Sequence, residues 1–135
     1  MNAVARNALS RQAEEILHMD PDKEVGRVEE LGLEWVEKDE AASLLEETRK
    51  TMLAQLISEH QTAAKATGKS MPMNQAEQLA LSDPRYEEHV RAMVKARAEA
   101  NRAKVRYDSG RIRIELMRSL VAARREEMRL GGFRT

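Results

Sequence analysis

Residues 101–119 read NRAKVRYDSGRIRIELMRS, and the reading of this stretch decides the fold. It holds five arginines and one lysine against two acids, Asp108 and Glu115, with Ser109-Gly110 in the middle. Ser-Gly can open a hairpin, end a helix, or lie inside one long basic helix. The hairpin reading has some support, because residues 111–116 alternate polar and apolar as a half-buried strand does. No second alternating segment exists to pair with it, however, and a lone strand leaves its backbone groups unsatisfied. The helical readings draw on a longer pattern. Apolar or small residues recur at Tyr86, Val90, Met93, Ala96, Ala100, Ala103, Tyr107, Gly110, Ile114, Met117, Val121 and Met128, with Arg124 in phase. These intervals of three and four, with one slip near Ala96–Ala100, mark one stripe of a helix. The phase survives passage through Gly110, which a hairpin would reset. This favours helix on both sides, with glycine allowing close approach at a local cost of about 1 kcal/mol.

Working outward, Ser82-Asp83-Pro84 supplies an N-cap and a first-turn proline, so the basic helix is expected over about 84–130. Asp20-Pro21 repeats that signal and opens an acidic helix over about 21–66. Its stripe is Val28, Leu31, Trp35, Ala42, Leu45, Met52, Leu56 and Ala63, and Gly26 and Gly32 weaken its first turns. Thr67-Gly68-Lys69-Ser70-Met71-Pro72 reads as a loop, and residues 73–81 as a short helix. A short amphipathic segment fills residues 1–20, and residues 131–135 are expected to form a flexible tail. Two long helices joined by a short connector imply an all-α fold. Its expected form is a long antiparallel helical hairpin, coiled-coil-like, with short additional helices. So thin a hairpin has little core, and self-association would bury what stays exposed.

Composition agrees. Ala, Glu, Lys, Leu and Arg make up 54% of the 135 residues, the signature of long helices, and only four residues are aromatic. No cysteine is present, which excludes a disulfide framework and thiolate chemistry. Neither a signal peptide nor a run of eighteen apolar residues is visible, so a cytoplasmic protein is expected. Formal net charge is zero but segregated: residues 1–64 carry 14 acids and 7 bases, residues 65–135 carry 9 acids and 16 bases. Such asymmetry points to a polyanion partner or to attraction between the halves.

Catalysis finds little support. His18, His60 and His89 are scattered and read as solvated surface residues. Gly68-Lys69-Ser70 imitates the end of a phosphate-binding loop, but Ala63 stands where that motif has its first glycine. No enzyme activity, cofactor or metal is expected. Core filling accounts for Trp35 and for Met52, Met93, Met117 and Met128.

The basic residues carry the functional signal. Lys95, Arg102, Lys104, Arg106, Arg111 and Arg113, with Arg91 and Arg118, flank the stripe on both sides. They suit phosphate contacts that release counterions. With few aromatics for base stacking, binding would be electrostatic, and Tyr107, the one stacking candidate, sits on the stripe. A solvated face, or pairing with the acidic helix, is the other reading of the same charges.

Arg102-Ala103-Lys104-Val105-Arg106-Tyr107-Asp108-Ser109-Gly110-Arg111 resembles the basic helix of the UvsY family of phage recombination mediators. Its pattern there ends in Lys-Ala-Arg-Leu-x-Tyr-Tyr-Ser-Gly-Arg. Looser similarity extends back to about Tyr86. The resemblance implies a small, helical, homo-oligomeric protein in the host cytoplasm that binds single-stranded DNA. It also implies that the protein helps load a RecA-type recombinase onto strands coated by single-strand-binding protein. The family's DNA-contacting Lys and Arg fall on Arg102 and Lys104. Arg106 replaces an acidic residue, and Asp108 stands where the family has its second tyrosine. The resemblance places Ser-Gly at a helix end, against the stripe's phase. The alternative function is a helical assembly or interaction protein that touches no nucleic acid.

Overall fold

The computed structural model describes residues 3–132. Those residues form four α-helices and no strand: α1 (Ala3–Leu17), α2 (Pro21–Ala66), α3 (Met73–Leu81) and α4 (Pro84–Gly132). The chain is all-α. Ser109 and Gly110 are helical, and so are residues 111–116 despite their alternation. α4 takes in Gly131 and Gly132, the first two residues of the expected tail; residues 133–135 lie outside the described ones.

The helix starts follow from local chemistry. Asp20 Oδ1 accepts the Asp22 amide at 3.0 Å, and Pro21 fills the first turn, where its missing N–H costs nothing. Asp22 and Glu24 place negative charge at the positive end of the helix dipole. At α4, Asp83 Oδ1 accepts the Arg85 amide at 2.9 Å. α2 ends on Gly68, which holds φ at +75° as few other residues would. Its amide donates to the Lys65 carbonyl, and that of Lys69 to the Ala64 carbonyl, the two bonds that close a Schellman turn.

Contacts group the helices into two compact units, one of Glu34–Ala103 and one of residues 3–33 with 104–132, and α2 and α4 contribute to both.

In the unit Glu34–Ala103, the buried apolar residues are Ala42, Leu56, Ala76, Ala80, Ala100 and Ala103. Five alanines and one leucine let the helix backbones come close. α3 contributes Ala76 and Ala80, four residues apart and therefore on one face. Polar clamps tie α2 to α4. Arg97 donates from Nη1 to Asp39 Oδ1 (2.6 Å), from Nε to Glu46 Oε1 (2.7 Å) and from Nη2 to Glu46 Oε2 (3.0 Å). This bidentate pairing holds the Glu46 carboxyl below its ordinary pKa and the Arg97 guanidinium above its own. Arg85 Nη1 reaches Glu59 at 2.6 Å.

The histidines differ from the sequence expectation. His18 is exposed, but His60 and His89 are half-buried and bonded. His89 Nε2 donates to the Leu45 carbonyl at 2.8 Å, and His60 Nε2 to Asp83 Oδ2 at 3.2 Å. The periodicity explains both. His89 lies three residues after Tyr86 and four before Met93, and His60 lies four after Leu56, so each borders the stripe. Ala63, assigned to the stripe in its place, is exposed.

Asp83 is the buried polar residue of this unit. It accepts from the Arg85 amide, from Arg85 Nε (3.2 Å) and Nη2 (3.0 Å), and from His60. These bonds, those of Arg85 above all, pull its pKa from 3.8 down to about 2. A carboxylate whose folded pKa is depressed contributes stability above its unfolded pKa and loses it as pH falls through the folded one. Wild type should therefore melt higher than Asp83→Asn at neutral pH, with the gap closing between pH 4 and pH 2 in thermal melts followed by circular dichroism. A gap constant from pH 7 to pH 2 contradicts this account.

In the second unit, Met117 is buried, and Gly32 and Gly110 meet partners. A Cβ on Gly32 would stand 3.1 Å from the Tyr107 ring, and one on Gly110 would stand 2.9 Å from Val28 Cγ2. Tyr107 thus packs on Gly32, as a stripe residue does. The stripe was expected to reach Met128, but it ends at Val121: Arg124 is exposed and Met128 is 72% exposed. Pro21 and Val25 line a cavity with Met117, Val121 and Arg125. α2 begins at Pro21, so it offers no further turn to cover Met128.

Candidate nucleic-acid interface

The cations of α4 sort by what already engages them. In the unit Glu34–Ala103, Arg85 and Arg97 are spent on Glu59, Asp83, Asp39 and Glu46, and Arg91 Nη2 reaches Glu87 one turn away at 2.6 Å. Lys95 and Arg102 are exposed and seven residues apart, which places them two turns apart on one face.

In the other unit, Lys104, Arg106, Arg111, Arg113 and Arg118 are exposed. Two groupings emerge. Arg106 and Arg113 line one shallow cavity, of about 220 Å³, together with Arg27 of α2. Arg111 and Arg118 line another with Val25, Glu29 and Glu115. Arg111 is also held locally: its guanidinium carbon lies 5.7 Å from the Tyr107 ring centroid, and Nη1 lies 4.0 Å from the Asp108 carboxylate. Of the six residues singled out from sequence, Arg106 and Arg113 meet at one cavity, and Arg111 and Lys104 are two turns apart on one face. Lys95 and Arg102 belong to the first unit.

Arg27 escaped the sequence reading because it lies on the acidic helix. A signal was nevertheless present. Arg27, Arg106 and Arg113 each immediately precede a stripe residue, Val28, Tyr107 and Ile114, so all three flank the stripe. The network of His60, Asp83, Arg85 and Glu59 was also missed. Asp83 had been read only as a cap.

Among the described residues, no three His, Asp or Glu side chains gather in a way that could hold a metal ion. No helix of the described residues is long and apolar enough to cross a membrane. No family model, no curated protein and no solved structure matches this chain.

Proposed function

We propose that this chain is a self-associating helical protein that binds single-stranded DNA and serves as a phage-type recombination mediator. In this role it helps load a RecA-type recombinase onto strands held by single-strand-binding protein, in the cytoplasm of the host, and it performs no catalytic step itself. One observation carries the reading. Lys95, Arg102, Lys104, Arg106, Arg111 and Arg113 are all exposed along α4, a run of six cations on one helix. The ten-residue resemblance of Arg102 through Arg111 to the UvsY family adds to it.

The architecture that goes with this reading is an antiparallel hairpin of α2 and α4 that associates with copies of itself. In support, rising positions on α2 meet falling ones on α4 within each unit, Leu45 with His89 and Glu59 with Arg85 in one, Val28 with Gly110 and Gly32 with Tyr107 in the other. Val105, Ile112 and Leu116, spaced seven and four apart, form an exposed apolar row at 64%, 64% and 46% exposure. Self-association would cover that row and array several basic helices, giving avidity to weak contacts.

Titrating a labelled oligodeoxynucleotide at several salt concentrations tests the reading. The log–log slope should be about −0.7 per phosphate contacted. Arg102→Ala with Lys104→Ala should make it shallower by about 1.4, two contacts at about 0.7 each. Absence of binding at low salt sinks the proposal. The same apolar row favours a second reading, an assembly protein without nucleic acid. In that case Ile112→Asp changes the light-scattering mass while no oligonucleotide binds under any condition.

A further inference from the structure

We infer that Arg27 of α2 joins Arg106 and Arg113 of α4 in a pocket that holds one backbone phosphate of a single strand, with the adjoining sugar and base edge against its apolar lining. This deepens the DNA-binding reading and rests on it. The three guanidinium-bearing residues line one cavity of about 220 Å³, and Val28, Leu31 and Val105 line it with them. Cationic and apolar residues lining one cavity suit a phosphodiester, which is an anion tied to a largely apolar sugar and a flat base. They suit a free inorganic anion less well, since such an ion has nothing to set on valine and leucine. Guanidinium groups match phosphate oxygens in pairs, which a point charge does not.

Gly110 makes the pocket possible. It lines the cavity, and any side chain there would run into Val28, whose Cγ2 stands 2.9 Å from the position of an added Cβ. The glycine that first looked like a break is a point of close approach to α2, and the three arginines line the same cavity. Glu24 also lines the cavity. Its carboxylate offsets one of three positive charges, leaving a net of two for a ligand that carries one negative charge per phosphate. Its removal should therefore tighten binding. The contacts assigned to the site go to phosphate and sugar, so it should hold any sequence alike.

The test uses the full chain and labelled oligothymidylate and oligoadenylate of equal length, titrated at several salt concentrations. Arg27→Ala should weaken both oligonucleotides equally and make the log–log slope shallower by about 0.7. Arg27→Lys should keep most of the slope. Lys23→Ala, which removes an exposed cation of the same helix outside the cavity, should leave binding unchanged. Glu24→Gln should tighten binding. Far-UV circular dichroism of each variant verifies that the helices persist. Wild-type affinity and slope in Arg27→Ala, with Arg102→Ala/Lys104→Ala still weakening binding, overturns this inference and leaves the DNA-binding reading standing. Failure of the wild-type chain to bind either oligonucleotide overturns both.

Discussion

Leu56→Ala is expected to lower stability by about 3 kcal/mol and the melting temperature by about 10 °C. Leu56 is 1% exposed and is the largest fully buried side chain among the described residues. Its buried companions in the unit Glu34–Ala103 are alanines, Ala42, Ala76, Ala80, Ala100 and Ala103. The size of the loss follows from that company. A cavity in a core of long side chains shrinks when neighbours swing into it. Alanines have no rotamer to change, so the void left by three removed carbons stays open unless whole helices move. Leu44→Ala, at a position 62% exposed, is the control and should shift stability by less than about 0.5 kcal/mol. Urea unfolding followed by circular dichroism measures both. A Leu56→Ala loss under about 1 kcal/mol contradicts the packing described.

Gly110→Leu is expected to cost about 2 kcal/mol, although leucine favours a helix and glycine does not. Two effects oppose each other. Filling a mid-helix glycine gains about 1 kcal/mol in backbone entropy. Against this, the first added carbon stands 2.9 Å from Val28 Cγ2, and Leu31 Cδ1 lies only 3.5 Å away. Valine is nearly locked in one rotamer within a helix, so it cannot turn aside cheaply. The helices must part, and the bulk of leucine settles which effect wins. Gly26→Ala isolates the propensity term, because nothing lies within 4 Å of its added Cβ, and it should gain about 0.5–1 kcal/mol. In a double-mutant cycle, Val28→Ala should couple to Gly110→Ala by about 1 kcal/mol. Equal gains at Gly26 and Gly110 would show that the close approach is absent.

What the sequence made legible were the features set by neighbours along the chain. Asp20-Pro21 and Asp83-Pro84 announce helix starts because a carboxylate accepts an orphan amide two residues on, a purely local bond. The helical state of Ser109-Gly110 was legible through phase, since a stripe kept on both sides of a glycine needs one helix. The strand-like alternation of residues 111–116 carried less weight, because six residues are too few to separate the two periods.

Hidden from the sequence were the features set by register between helices. That His89 meets the Leu45 carbonyl, or that Arg27 shares a cavity with Arg106 and Arg113, depends on which turn of α2 faces which turn of α4. No residue's own neighbours carry that information. The stripe's end at Val121 was hidden likewise, because Met128 is apolar and in phase but has no turn of α2 opposite it. The charges were half legible. Segregation of acids and bases marked α4 as the cationic element. That Asp39 and Glu46 meet Arg97, and Glu59 meets Arg85, follows from register too.

The alanine-built packing between α2, α3 and α4 also shapes how stability depends on temperature. Alanine brings little hydrocarbon out of water when the chain unfolds, whereas the exposed peptide groups of a helix are as numerous as in any protein. Newly wetted apolar surface raises heat capacity and newly wetted polar surface lowers it, so the increment on unfolding falls below the usual ~12–15 cal/mol/K per residue. A small increment flattens the stability curve. The unit Glu34–Ala103 therefore holds a similar, modest margin across a wide span of temperatures, from cold to warm, rather than a sharp optimum near one.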